Sequence, residues 1–138
     1  MAVGYKIGSV VTEWGTGDFV HALFSNVAYH LEKGVWGAKF PVFMTDFYSG
    51  SLDIAKLPAA LTELREIRRE LAAFPPDSVI WDIENLDRKP PWGADIANTI
   101  TDLSNYFITS TGRDLLADLE EGFEFACEES SPVEIVKF

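Results

Sequence analysis

The sequence predicts an α+β fold, a small and mainly antiparallel sheet of about four strands packed against three or four helices. Three observations lead there. Short β-rich runs stand near both ends and in the middle of the chain, and runs with apolar residues three and four apart lie between them. Their order, β, α, α, β, loop, β, α, β, lacks the regular alternation of a parallel sheet. The chain has 138 residues, the length of a single domain, and neither a repeat nor a linker interrupts it. Strand order is left open by the pattern.

Val3 to Glu13 forms the first expected strand, carrying Val3, Tyr5, Ile7, Val10 and Val11, with Gly8 breaking the alternation as a bulge or close approach does. Thr16 or Asp18 then offers a side-chain oxygen to the free N–H groups of a helix expected over 18–33 and ended by Gly34. Phe19, Val20, Leu23, Phe24, Val27, Ala28 and Leu31 fill half of its circumference, which marks a core face. Pro41 opens either a short helix with Val42, Met44, Phe47 and Tyr48, closed by Gly50, or an irregular run. A second long helix runs from Lys56 or Pro58 to Phe74, with Leu57, Leu61, Leu64, Ile67 and Leu71 inside and Glu63, Arg65, Glu66, Arg68, Arg69 and Glu70 solvated. Pro75 and Pro76 stop it.

Val79, Trp81 and Ile83 alternate with Ile80, Asp82 and Glu84, which predicts a central strand with Trp81 buried. Pro90 and Pro91 cannot continue a ladder, so Trp92 is carried out on a stiff turn, either as an exposed anchor or as a cap over the core. Residues 95–103 read as loop or one helical turn, and Tyr106 to Thr109 as a short strand. Thr111 or Asp114 caps a last helix over 113–129, and Val133 to Phe138 adds an edge strand.

The stretch Trp81-Asp82-Ile83-Glu84, then Pro90-Pro91-Trp92-Gly93, then Thr101-Asp102-Leu103-Ser104-Asn105-Tyr106-Phe107, ending in Thr109-Ser110 and Gly112, resembles the immunity protein 70 family of bacterial polymorphic toxin systems. The match extends through Gly17-Asp18-Phe19, Tyr29-His30-Leu31, Trp36-Gly37 and Phe74-Pro75-Pro76, and so covers nearly the whole chain. The resemblance implies a non-enzymatic immunity protein that binds a cognate toxin in the cytoplasm, plugging its active site or locking it inactive.

Composition narrows the partners. Eleven basic against 22 acidic residues give a net charge of −11, which repels nucleic acid and anionic lipid and either favours a basic partner, such as the nuclease domain the resemblance would allow, or only keeps the protein soluble. Cys127 is the only cysteine, so neither an internal disulfide nor a cysteine metal cluster can form, and a reducing compartment fits. The N-terminal run lacks the basic region of a signal peptide, and no run approaches the ~20 apolar residues of a membrane span. A cytoplasmic monomer or dimer without cofactor or metal is expected.

Asp82 and Glu84 lie on one face of the expected strand, about 6.5 to 7 Å apart, a spacing that suits paired carboxylates. Solvated acids near Arg88 and Lys89 are the plainer reading, with a small-substrate hydrolase as the alternative function. His21 and His30 are separated by roughly 900° of helix rotation and cannot share a metal, and His30 reads as partly buried and bonded to backbone. Gly15-Thr16-Gly17 lacks the third glycine and the Lys-Ser/Thr of a phosphate loop and reads as a turn.

The last helix is the most informative surface. Asp114, Asp118, Glu120, Glu121, Glu124, Glu128 and Glu129 occupy its outer arc with no base among them, opposite Leu115, Leu119, Phe123, Ala126 and Cys127. Phe125 falls inside the acidic arc. It is either an aromatic hot spot with a charged rim for a basic toxin or a residue packed under the C-terminal strand. Asp114, Asp118, Glu121, Glu124, Phe125, Glu128 and Trp92 are therefore the candidate toxin contacts. An acidic adaptor protein would share this surface and remains the other alternative.

Overall fold

Gly8 takes φ +60°, a left-handed conformation that permits a tight reversal, so the run expected as one strand is a hairpin. In the computed structural model, which describes residues 2–138, β1 (Ala2–Ile7) pairs antiparallel with β2 (Val10–Thr16), Ile7 facing Val10 and Tyr5 facing Thr12. β3 is only Ser51–Leu52, and β4 (Val133–Lys137) pairs with both β1 and β3. The sheet order is β2-β1-β4-β3. The four-stranded antiparallel sheet with its helices bears out the α+β expectation. The C-terminal strand is interior rather than an edge, because β3 pairs along its outer side.

Thr16 caps the first helix, its Oγ1 accepting the Phe19 N–H at 3.1 Å, and α1 (Gly17–Asn26) runs on as a π-helical turn over Val27–Leu31. The Gly34 N–H closes that turn on Ala28 O at 2.8 Å. A second π-helical segment, Val42–Phe47, follows Pro41. Between them Glu32, 3% exposed, is compensated by three backbone donors, Gly37, Lys39 and Phe40, at 3.0, 2.9 and 2.9 Å. Glu63 is not simply solvated as its helix position suggested. It reaches from α2 (Leu57–Leu71) to accept the N–H groups of Phe43 and Val42, filling the donors that open the π-helical segment.

α3 (Leu115–Glu129) packs on α2 and on the sheet. Asp114 is its cap, accepting from Leu116 and Ala117, and Ser130 closes it in the left-handed region. The core is aromatic. Phe47 meets Phe123 edge-on at 5.0 Å, Phe24 stacks on Phe43 at 4.8 Å, and Tyr5 stacks on Trp14 at 5.0 Å.

The expected strand over Val79–Ile83 does not join the sheet. Its alternation is real, since Trp81 is 4% exposed and Val79 and Ile83 pack on the core. Its backbone, however, bonds to side chains of α1. Buried Asn26 donates to Ile80 O at 2.8 Å and accepts the Ile80 N–H at 3.0 Å, and Ser25 Oγ accepts the Ile83 N–H at 3.2 Å. A carboxamide offers the same donor and acceptor pair as a neighbouring strand, so the segment is satisfied without one. Tyr106 to Thr109 likewise forms only a single bridge, Ile108 to Asp114. The long segment after Ile80 is pinned by the Leu103 N–H on Phe74 O and the Ser110 N–H on Trp14 O.

Candidate functional site

α3 buries a wider arc than its sequence pattern marks, because the sheet covers one flank and α2 another. Asp118, expected among the outward carboxylates, is 4% exposed and lies against β1 and β2. The Tyr5 hydroxyl donates to Asp118 O at 3.1 Å, and burial raises both the Tyr5 and the Asp118 pKa. Arg113 opposes the effect on Asp118, its Nη2 standing 3.2 Å from Asp118 Oδ1 and 2.9 Å from Glu121 Oε2. The Trp14 indole and the Tyr5 hydroxyl also favour the Asp118 carboxylate, yet neither Trp14 Nε1 nor Asp118 Oδ2 completes a hydrogen bond.

Above this group a cleft of about 290 Å³ opens between β2 and α3, with Tyr5 and Ile7 from β1, Val10 and Thr12 from β2, and Asp118, Glu121, Gly122 and Phe125 from α3. Gly122 is what lets the helix come so near, since a Cβ there would lie 2.3 Å from the Tyr5 oxygen. Phe125 is 39% exposed and Val10 and Val11 are 50% exposed, so apolar surface stands at the lip of an acidic cleft. Phe125 is exposed at this lip rather than buried.

The remaining carboxylates of α3 divide by neighbour. Glu120 bonds Arg68 at 2.8 Å and, with Glu124, faces Arg65 on α2 at 3.6 and 3.5 Å. Asp114 is spent on the cap, and burial raises its pKa. Glu128 and Glu129 are exposed and make no ion pair among the described residues. The exposed acidic rim of Phe125 is therefore narrower than seven carboxylates in the sequence imply: Glu121 and Glu124 are exposed but paired with Arg113 and Arg65, and Glu128 is exposed without an ion pair among the described residues.

Trp92 is both packed against the core and part-exposed. Its indole N–H donates to Tyr106 Oη at 2.8 Å and its ring meets Trp81 edge-on at 5.4 Å, while 38% of it stays exposed. A groove of about 650 Å³ runs alongside, from Pro75 and Pro76 past Val79 and Pro90 to Ile96 and Tyr106. This groove spans segments distant in sequence, and no single segment marks it.

Asp82 and Glu84 do not form a facing pair. Asp82 Oδ1 accepts the Glu84 N–H at 2.9 Å in a turn and Oδ2 pairs with Arg88 at 3.1 Å, contacts that hold the Asp82 carboxyl below its usual range. Ser25 Oγ lies 3.4 Å from His21 Nδ1, but Ser25 is fully buried and already accepts the Ile83 N–H, so no substrate carbonyl can reach it. His30 is bonded to Ser78 O at 2.8 Å, in line with the backbone-bonded reading, and burial lowers its pKa. Among the described residues no helix is long and apolar enough to cross a membrane.

The fold and its surface define an acidic α+β domain that presents an aromatic residue with carboxylates beside it on a rigid helix. The model of one family, immunity protein 70, matches residues 5–135, and the chain belongs to that family. No curated protein and no solved structure matches it. Membership makes it a protein of toxin immunity with a cognate toxin as partner, in agreement with the resemblance carried by the 81–112 stretch.

Proposed function

We propose that the protein neutralises its toxin in the cytoplasm by binding alone, without turnover, and that the face made by α3 and the hairpin is the contact surface for a basic toxin domain. The observation that carries this reading is Phe125, exposed on a rigid helix between Val10 and the carboxylates of Glu121 and Glu124. Exposed carboxylates accelerate encounter with an opposite charge, whereas a desolvated aromatic anchor slows dissociation. The net charge of −11 supports a basic partner. The Trp92 loop is the second surface, favoured by the half-exposed indole and the groove beside it.

The test first asks whether the gene upstream encodes a large secreted protein with a variable C-terminal domain, and then uses that domain as the toxin. Reversing Glu121 and Glu124 to lysine should slow association strongly at low salt and little once the Debye length falls below ~8 Å. Phe125→Ala should raise the dissociation rate and weaken the complex by about 2 kcal/mol or more, with thermal stability preserved. Indifference to all three substitutions moves the contact to the Trp92 loop, and failure to bind or protect at all refutes the reading.

A further inference from the structure

Resting on that reading, we propose that the cleft between β2 and α3 is a socket for one arginine side chain of the toxin, a place that Arg113 fills in the unbound protein. Asp118 is 4% exposed, lines the cleft, and keeps Oδ2 without a hydrogen-bond partner. A buried carboxylate with an idle oxygen is costly unless something completes its bonding. Arg113 does so incompletely. It approaches Asp118 and Glu121 through the single nitrogen Nη2, leaving the rest of its planar fork unused toward them. Its side chain is 52% exposed and free to turn out to water, but the Asp118 carboxylate it leaves is 4% exposed, so the exchange requires an incoming cation to take its place.

The walls fit a guanidinium on an apolar stem. Ile7 and Val10 line the hairpin side and suit the methylenes, and the exposed ring of Phe125 offers a face for a planar cation. Asp118 and Glu121 then provide acceptors that a fork engages with two nitrogens and an ammonium only as a point charge. A cleft of about 290 Å³ falls just under the range of small-molecule sites, which begins at roughly 300 Å³, and accommodates one side chain rather than a larger ligand. Charge complementarity selects the occupant, since Arg113 is the one base lining the cleft beside Asp118 and Glu121.

The probe is N-acetyl-arginine amide, titrated into the 138-residue chain and followed by the backbone amide resonances of Thr12 and Gly122 and the Nε–H of Arg113. The neutral isostere N-acetyl-citrulline amide is the control. Saturable shifts at these three positions are expected for the arginine derivative and not for citrulline. Arg113→Ala should bind the probe about two- to fivefold tighter, because the internal competitor is gone, and Glu121→Gln should bind it weaker by a similar factor. Circular dichroism establishes that both variants are folded, and Glu121, being exposed, keeps the test usable if Arg113→Ala unfolds. Equal shifts with citrulline, no saturable shift, or an Arg113→Ala protein that binds no tighter overturns the socket. So does a concentration-dependent dimer that Glu121→Lys dissociates, since a second copy would then occupy the cleft. Toxin affinity unchanged in both variants also overturns the socket and leaves the immunity reading standing, whereas a wild-type protein that binds no toxin domain refutes that reading instead.

Discussion

Asn26 holds the Ile80 segment to α1, and its removal should show how much of the fold depends on that clasp. The side chain is fully buried and donates to Ala22 O at 2.7 Å and Ile80 O at 2.8 Å while accepting the Ile80 N–H at 3.0 Å. In Asn26→Ala the Ala22 carbonyl keeps its place in α1, but the Ile80 N–H and C=O both lose their partner. Each unsatisfied buried group costs about 1 to 3 kcal/mol. Ile80 is only partly buried, which favours the lower half of that range. The expected loss is therefore about 2 to 4 kcal/mol for the two groups together. Urea unfolding should show a lower midpoint with an unchanged slope, which separates lost stability from a change in the unfolded chain. Native-state exchange should accelerate at the Ile80 amide before the amides of the sheet. A loss under about 1 kcal/mol would mean that water satisfies Ile80 equally well and that the clasp is incidental.

Trp81→Ala should cost about 3 to 5 kcal/mol, the usual range for a buried tryptophan, and an unchanged denaturant midpoint would remove this segment from the core. Gly122→Ala places a methyl 2.3 Å from Tyr5 Oη, so about 1 to 3 kcal/mol of overpacking is expected in thermal or urea unfolding, and a neutral result would show that Tyr5 moves freely. The raised pKa of Asp118 means that the folded state holds this proton more tightly than the unfolded chain. Its stabilising contribution is complete below the ordinary carboxyl pKa near 3.8 and is lost as pH rises through the folded value. Asp118→Asn should thus gain on the wild type as pH rises from that point toward neutrality, and parallel stability–pH curves would refute the assignment.

Much of the fold was legible because local physics and tertiary packing agreed. The apolar spacing of α2, the stop at Pro75, the caps at Thr16 and Asp114, and the burial of Trp81 all depend on residues close in sequence. The hairpin was missed because Val10 and Val11 continue the β-rich run, and only the φ of Gly8 reveals the reversal. The site was legible in part. Phe125 stands out as a lone aromatic among acids, but its sequence position fits either exposure or packing under the last strand, and the fold leaves it 39% exposed.

Side-chain partners distant in sequence decided the rest. Alternation over Val79–Ile83 specifies which side chains face inward, but not whether the backbone bonds to a strand or to Asn26 and Ser25, since both satisfy the same donors and acceptors. A helical wheel likewise assumes one buried face. α3 is covered by the sheet and by α2, so Asp118 turns inward against Tyr5 and Glu120 toward Arg68, positions that the helix's own sequence marks as solvent-facing. The sequence alone determined the fold class, the family resemblance and the acidity of the last helix. Tertiary structure decided which carboxylates are buried or paired, because the strands and the second helix that cover α3 lie far away along the chain.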